Sequence, residues 1–117
     1  MKIVWLCNIP IPRAAKLFGL KSSPIEGWLI SVSNELERHE DIELAIIFPN
    51  NYIQEKFLIK RDGRIDFIGF NFKNTNDDER KSIFVDIIKQ LAPNVIHIWG
   101  TENEHSYYMT EAAKKLE

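Results

Sequence analysis

The sequence holds a single cysteine. No intrachain disulfide can brace the fold, and the chain reads as one suited to a reducing, cytoplasmic setting. Neither sign of charge dominates: fifteen Lys and Arg stand against seventeen Asp and Glu, for a net charge of −2. That balance excludes bulk electrostatic binding of nucleic acid or of an anionic membrane, and leaves room only for a local basic patch. No apolar run nears the roughly 20 residues needed to span a bilayer. The opening Met1 to Cys7 meets Asn8-Ile9-Pro10 too soon to form a signal-peptide core. There is no Walker loop and no G-x-G-x-x-G, so neither kind of self-sufficient nucleotide site is encoded. One cysteine and scattered histidines give no zinc spacing. Repeats, low-complexity tracts and linkers are missing as well. What remains is globular: 117 residues, 44% hydrophobic and 27% charged, enough for one domain with a sizeable core.

The elements follow from periodicity and punctuation. Ile3 to Cys7 is a continuous apolar run of strand formers, as in strands buried on both faces of a parallel sheet, and Pro10 and Pro12 end it. The stretch from Asn8 to Ser22 is long for a strand-to-helix connection; Arg13 to Leu20 can hold a short helical turn. It is expected to be the most mobile part of the chain. Ser23-Pro24-Ile25-Glu26 has the order of an N-cap, a first-turn proline and a capping-box glutamate. Ile25, Leu29, Val32 and Leu36 then recur at helical spacing, with Ser33, Asn34, Glu35, Glu37 and Arg38 turned away, to an end near His39. Ile42 to Phe48 is a second buried-type strand. Asp62-Gly63 between Phe57–Lys60 and Ile65–Phe70 signals a hairpin, placed at the sheet edge. Ile83, Phe84, Ile87, Ile88 and Leu91 mark a helix, and Val95 to Trp99 another strand. Ser106 to Leu116 reads as a last helix with Met109, Ala112, Ala113 and Leu116 on one face.

The order β-α-β-hairpin-α-β-α predicts an α/β fold: a Rossmann-like, doubly wound, mostly parallel sheet with helices on both faces. Such sheets bind ligands at the carboxyl ends of their strands, where strand order reverses. Here that point falls between the first strand and Val95–Trp99. Trp5, Asn8, Arg13, Lys16, Lys21, Gly27, Trp28, His97, Trp99, Thr101, Glu102 and His105 converge on it. Trp5 and Trp99 read first as core. Arg13, Lys16 and Lys21, with no acid from Asn8 to Ile25, make a candidate anion site beside a helix N-terminus. Gly27 in a first helical turn costs about 1 kcal/mol relative to alanine, and its bare backbone would admit a ligand to the helix amides. His97 shares a strand face with Val95 and Trp99, which favours a neutral, partly buried imidazole. His105, in the loop beyond Gly100, is free to reach the cleft with Glu102 to orient it.

Three segments together resemble the N-terminal domain of glycosyltransferase family 4, above all its bacterial capsular and surface polysaccharide enzymes. They are Lys2 to Pro12, Gly27-Trp28-Leu29 opening a helix, and Pro93-Asn-Val-Ile-His-Ile-Trp-Gly-Thr-Glu102 with His105. The likeness runs nearly the whole chain. Glu26 stands where the family usually has the first of two glycines, and Trp99 where many members carry a second histidine. The resemblance implies a GT-B enzyme with two Rossmann-like domains about a cleft, retaining stereochemistry and no metal or other cofactor. Residues 1–117 would be its acceptor-side domain, with the donor-binding C-terminal domain absent from this chain.

It further implies transfer from a nucleotide-sugar donor to a saccharide or lipid-linked acceptor in surface polysaccharide biosynthesis. His105, Glu102 and His97 would be the catalytic candidates, and Gly27 and Trp28 would lie near the donor. Asn8, Arg13, Lys16, Lys21 and Thr101 would hold the acceptor. Ile9, Ile11, Leu17, Phe18 and Leu20 would suit a lipid-linked acceptor and a peripheral contact with the inner face of the membrane. The competing reading is a stand-alone flavodoxin-like binding or interaction module without catalysis.

Overall fold

The computed structural model describes residues 1–21, 27–100 and 104–116, with the backbone alone at 27 and 28. Nine elements follow in chain order: β1 (Lys2–Leu6), α1 (Pro12–Phe18), α2 (Gly27–Arg38), β2 (Glu43–Pro49), β3 (Phe57–Asp62), β4 (Ile65–Phe70), α3 (Asp77–Leu91), β5 (Val95–Ile98) and α4 (Glu104–Lys115). The five strands form one mixed sheet in the order β3-β4-β2-β1-β5. β1 pairs in parallel with β2 and β5, and β2 in parallel with β4, while β3 runs antiparallel along β4 at the edge. The strand order reverses between β1 and β5, as expected.

Alternation along the strands sorts the core into two layers. Val4, Leu6, Ala45, Ile47, Ile68 and Phe70 meet Ile83, Phe84 and Ile87 of α3 and Tyr108, Met109 and Ala112 of α4. Trp5, Cys7, Leu44, Ile46, Phe48, Ile65 and Phe67 meet Ile11 just before α1, Ala14 within it and Leu29 of α2. β2 lies in the middle and is apolar from Leu44 to Phe48 because both its faces are covered.

Several expectations change at the level of faces. On α2, Ser33 points inward with its hydroxyl donating to the Ile30 carbonyl at 2.9 Å, while Val32 is 38% exposed. A small side chain that satisfies its own hydroxyl fits against the sheet where a branched one would crowd it. Leu116 falls just past the end of α4 and is exposed, and Tyr108 takes a core position on the helix. The capping box expected at Ser23 and Glu26 lies outside the described residues.

The hairpin turns one residue later than an Asp62-Gly63 type I′ turn would. Asp62 pairs with Ile65, so Gly63 and Arg64 are the two central residues, and only Gly63 has positive φ, at 60°. That is the type II′ pattern, with glycine first.

α3 starts on a complete capping box: Asn76 accepts from the Glu79 N–H at 2.8 Å, and Glu79 accepts from the Asn76 N–H at 3.2 Å. Asn76→Ala is expected to cost about 1 kcal/mol in urea unfolding, the usual value of a lost N-cap. An unchanged midpoint would assign the start of α3 to packing alone.

Candidate functional site

From Ile11 to Leu20 the chain after β1 is not a loose loop. Pro12 opens α1 from its first helical position. Ala14 and Ala15 are buried, and Gly19 closes the helix in the left-handed region at φ 70°. The Leu20 N–H then returns to the Ala15 carbonyl at 2.8 Å. Helical period therefore turns Ile11 into the core and lays Leu17, Phe18 and Leu20 against it, leaving Ile9 as the exposed apolar residue of that group, at 44%. Residues 11–20 of the expected acceptor loop are thus folded against the sheet.

Beside α1, at the carboxyl ends of the strands, lies an open crevice of about 830 Å³. One wall is Pro10 and the segment Phe18 to Lys21; the other is Pro49 to Tyr52, the turn after β2. Asn50 holds that turn: it is buried, its N–H donates to the Phe70 carbonyl at 2.7 Å, and its Oδ1 accepts from the Tyr52 N–H at 3.0 Å. Gly69 lets the turn approach, since a Cβ there would come within 3.2 Å of Asn50 Cβ and 3.3 Å of the Phe18 ring. Phe18 sits edge-on to Phe48 at 5.0 Å and carries Lys60 Nζ over its ring at 5.1 Å. Tyr52, 87% exposed, stands at the rim. The lining offers an exposed phenol, two amides and the Lys21 ammonium.

Of the residues singled out from the sequence, Lys21 lines this crevice, while Asn8, Arg13 and Lys16 do not. Arg13 is committed elsewhere. Its Nη1 and Nη2 donate to the two Glu37 oxygens at 2.7 and 3.0 Å, and its Nε donates to Asp62 Oδ2 at 2.6 Å. Glu37 also accepts from the Arg64 N–H at 2.8 Å, and these donors, Arg13 first, hold its carboxyl at about 2. The Arg13 guanidinium is raised in turn, chiefly by Glu37. The expected anion site is therefore split: the acids that neutralise Arg13 arrive from α2 and the hairpin, far away in sequence. Lys16 is exposed on α1. Asn8 spans the switch point, its Nδ2 donating to the Trp99 carbonyl at 3.5 Å.

The two histidines exchange the environments expected of them. β5 is an edge strand, so His97 is exposed, stacked on Trp99 at 4.0 Å and 24°. His105 belongs to α4, not a loop, and packs edge-on against Phe70 and Phe72 at 5.2 and 5.7 Å. Burial lowers its pKa, only partly opposed by Glu104, and its buried Nδ1 has no hydrogen-bond partner among the described residues. Arg80 lies alongside, over Phe72 at 5.4 Å, with Nη1 donating to Glu104 at 3.2 Å. Trp5 is core, and Trp99 meets it edge-on at 5.4 Å. Gly27 is the first residue of α2. Thr101, Glu102 and the side chain of Trp28 lie outside the described residues.

Asn50, Asn51 and Tyr52 had no place in the sequence-based site. The strand-end rule that drew attention to the loops after β1 and β5 applies equally to the Pro49-Asn50-Asn51 turn, and would have found them. No group of three or more His, Cys, Asp or Glu residues among the described residues is placed to hold a metal, and no described helix is long and apolar enough to cross a membrane. No protein-family model matches the chain, and neither does any curated protein or solved structure.

Proposed function

We propose that residues 1–117 are the acceptor-side domain of a retaining glycosyltransferase of GT-B type. In this reading the whole enzyme transfers a sugar from a nucleotide-sugar to a saccharide or lipid-linked acceptor in surface polysaccharide biosynthesis. The observation that carries the reading is the crevice between α1 and the β2–β3 turn. Its amides can exchange hydrogen bonds with sugar hydroxyls, and the Tyr52 ring offers an apolar face for a pyranose, in a cleft at the strand ends of an open α/β sheet. Lys21 adds a point charge for a uronate or phosphate on the acceptor.

The chain's own chemistry suits positioning better than proton abstraction. His105 does not line the crevice: it packs against Phe70 on the α3–α4 side of the sheet, so an imidazole held neutral there would support the strand end whose Phe70 carbonyl holds Asn50. The acceptor proton would pass to the departing phosphate. Gly27, at the start of α2, would lend its amide to the donor phosphates across the cleft. Donor binding and leaving-group stabilisation belong to the second domain, so the chain alone is expected to bind acceptor without turnover.

Titrating the isotope-labelled chain with neutral and uronate-containing oligosaccharides, and separately with UDP-sugars, tests this. Amide shifts are expected at 18–21 and 49–52 with the oligosaccharides. Tyr52→Ala should weaken that binding about tenfold, the value of one aromatic contact, with an unchanged thermal midpoint because the ring is exposed. Silence with every saccharide, or nucleotide binding in this crevice, would favour the non-catalytic module instead.

A further inference from the structure

Asn50 is only 4% exposed, yet it lines the crevice beside α1. Its hydrogen-bonding groups are unequally used. The main-chain N–H is spent on the Phe70 carbonyl, and Oδ1 accepts from the Tyr52 N–H at 3.0 Å. A main-chain N–H can only donate, so the atom facing it must be the oxygen, and the carboxamide cannot be flipped. Nδ2 is therefore held on the other side of the group. It has no hydrogen-bond partner among the described residues, and it is not sealed from solvent.

The scaffold keeps that donor in place. Gly69 leaves the amide its room beside β4, since an added Cβ would stand 3.5 Å from Nδ2. On the other wall is Lys21, an exposed ammonium that makes no ion pair among the described residues. No Asp or Glu is among the described residues of the lining, whose remaining surface includes the apolar Pro10, Phe18, Leu20 and Pro49. The crevice thus offers a directed N–H donor and a positive charge, with no carboxylate to answer either.

We propose that this crevice selects an acidic acceptor sugar, a hexuronate, whose carboxylate is bound by Asn50 Nδ2 and Lys21. The inference rests on the acceptor reading above and adds which acceptors are preferred. A hydrogen bond to an ionised oxygen is roughly twice as strong as one to a neutral oxygen. A sugar hydroxyl can accept from Nδ2 as well, so a neutral acceptor binds, but it gains neither the stronger bond nor the attraction to Lys21. A carboxylate has two oxygens for these two donors. A phosphate has more oxygens and more charge, and is suited to the forked donors of arginine, which the described lining lacks. Asn50 is in this view the residue that sets specificity, and the Phe70 carbonyl and Tyr52 N–H are what aim it.

A disaccharide ending in glucuronic acid and its carboxyl-reduced form, which ends in glucose, differ at that carboxyl alone and make the test. Each is titrated into the isotope-labelled chain at neutral pH and low salt. The acidic form should bind about tenfold tighter, the lower end for a hydrogen bond to a charged group. It should also shift the side-chain NH2 signals of Asn50 more than the reduced form does, and lose its advantage as salt is raised. Asn50→Asp keeps an oxygen for the Tyr52 N–H but puts a negative charge where the donor was. It should abolish or reverse the preference while the reduced form still binds. Lys21→Gln, on an exposed side chain, should weaken binding of the acidic form alone, and it carries the test should Asn50→Asp fail to fold. Equal binding of the two forms, or a preference that survives Lys21→Gln, overturns this inference and leaves the acceptor reading standing. Tighter binding of a sugar phosphate than of the uronate overturns the assignment to a carboxylate. If neither form binds, the acceptor reading falls and this inference falls with it.

Discussion

Gly63→Ala is expected to be among the most damaging single-methyl additions in this chain, costing about 3 kcal/mol. Two effects combine. Glycine occupies a positive φ of 60°, where an L side chain is strained by about 1–2 kcal/mol. A Cβ there would also come within 2.3 Å of Glu37 Oε2 and 2.6 Å of Arg13 Nη2. Those atoms are the ends of long side chains, but they are pinned to each other and to the hairpin, so yielding means giving up charge-assisted hydrogen bonds. Gly19 is the internal comparison. Its φ is 70°, yet nothing lies within 4 Å of the added carbon. Gly19→Ala should therefore cost only the strain, about 1 kcal/mol. Chemical denaturation of both variants separates the two contributions, and equal losses would show that the Arg13–Glu37 pair moves aside freely.

The same network should give the fold an acid-sensitive brace. Glu37 titrates at about 2 in the folded chain, below the ordinary 4.5, because Arg13 and then the Arg64 N–H bond its ionised form. A depressed carboxyl contributes fully above its unfolded pKa and loses that contribution as pH falls through the folded one. Arg13→Met is accordingly expected to cost about 2–3 kcal/mol near pH 7, the range for hydrogen bonds to charged groups. That corresponds to a fall of roughly 10 °C in midpoint for a domain of this size. The gap between parent and variant should narrow as pH drops from 5 towards 2. Arg13 does not line the crevice, so saccharide binding by the folded variant should be unchanged. A gap that stays constant with pH would place the loss in packing against Phe67, over which Arg13 lies at 5.9 Å.

That network also marks where reading the sequence stops. Local signals were legible because local physics makes them: Pro10 and Pro12 ending the first strand, Asp62-Gly63 at a hairpin, and a strand that is apolar throughout because it is covered twice. The pairing of β1 with β5 and the hairpin's place at the edge followed as well, since an alternating α/β chain has few right-handed ways to wind. Arg13 looked like a free cation because the acids that hold it lie 24 and 49 positions away in sequence. Nothing near Arg13 encodes them. Val32 and Ser33 are adjacent, and a helical stripe leaves its border residue undecided until the sheet beneath selects the smaller one.

By itself, then, the sequence determined the elements, the two-sided core and the end of the sheet to which the strand-end loops belong. Only the tertiary structure decided which side chains are free to act there. It committed Arg13 to Glu37 and Asp62, and paired Lys21 with the Asn50–Tyr52 turn. It also exchanged the surroundings of His97 and His105. The reason is physical: an edge strand buries one flank fewer than its apolar run suggests, whereas a helix packed over Phe70 and Phe72 buries what a loop would have exposed. Periodicity records which residues face a common side, but covering that side takes a partner element, and the partner is chosen by the whole fold.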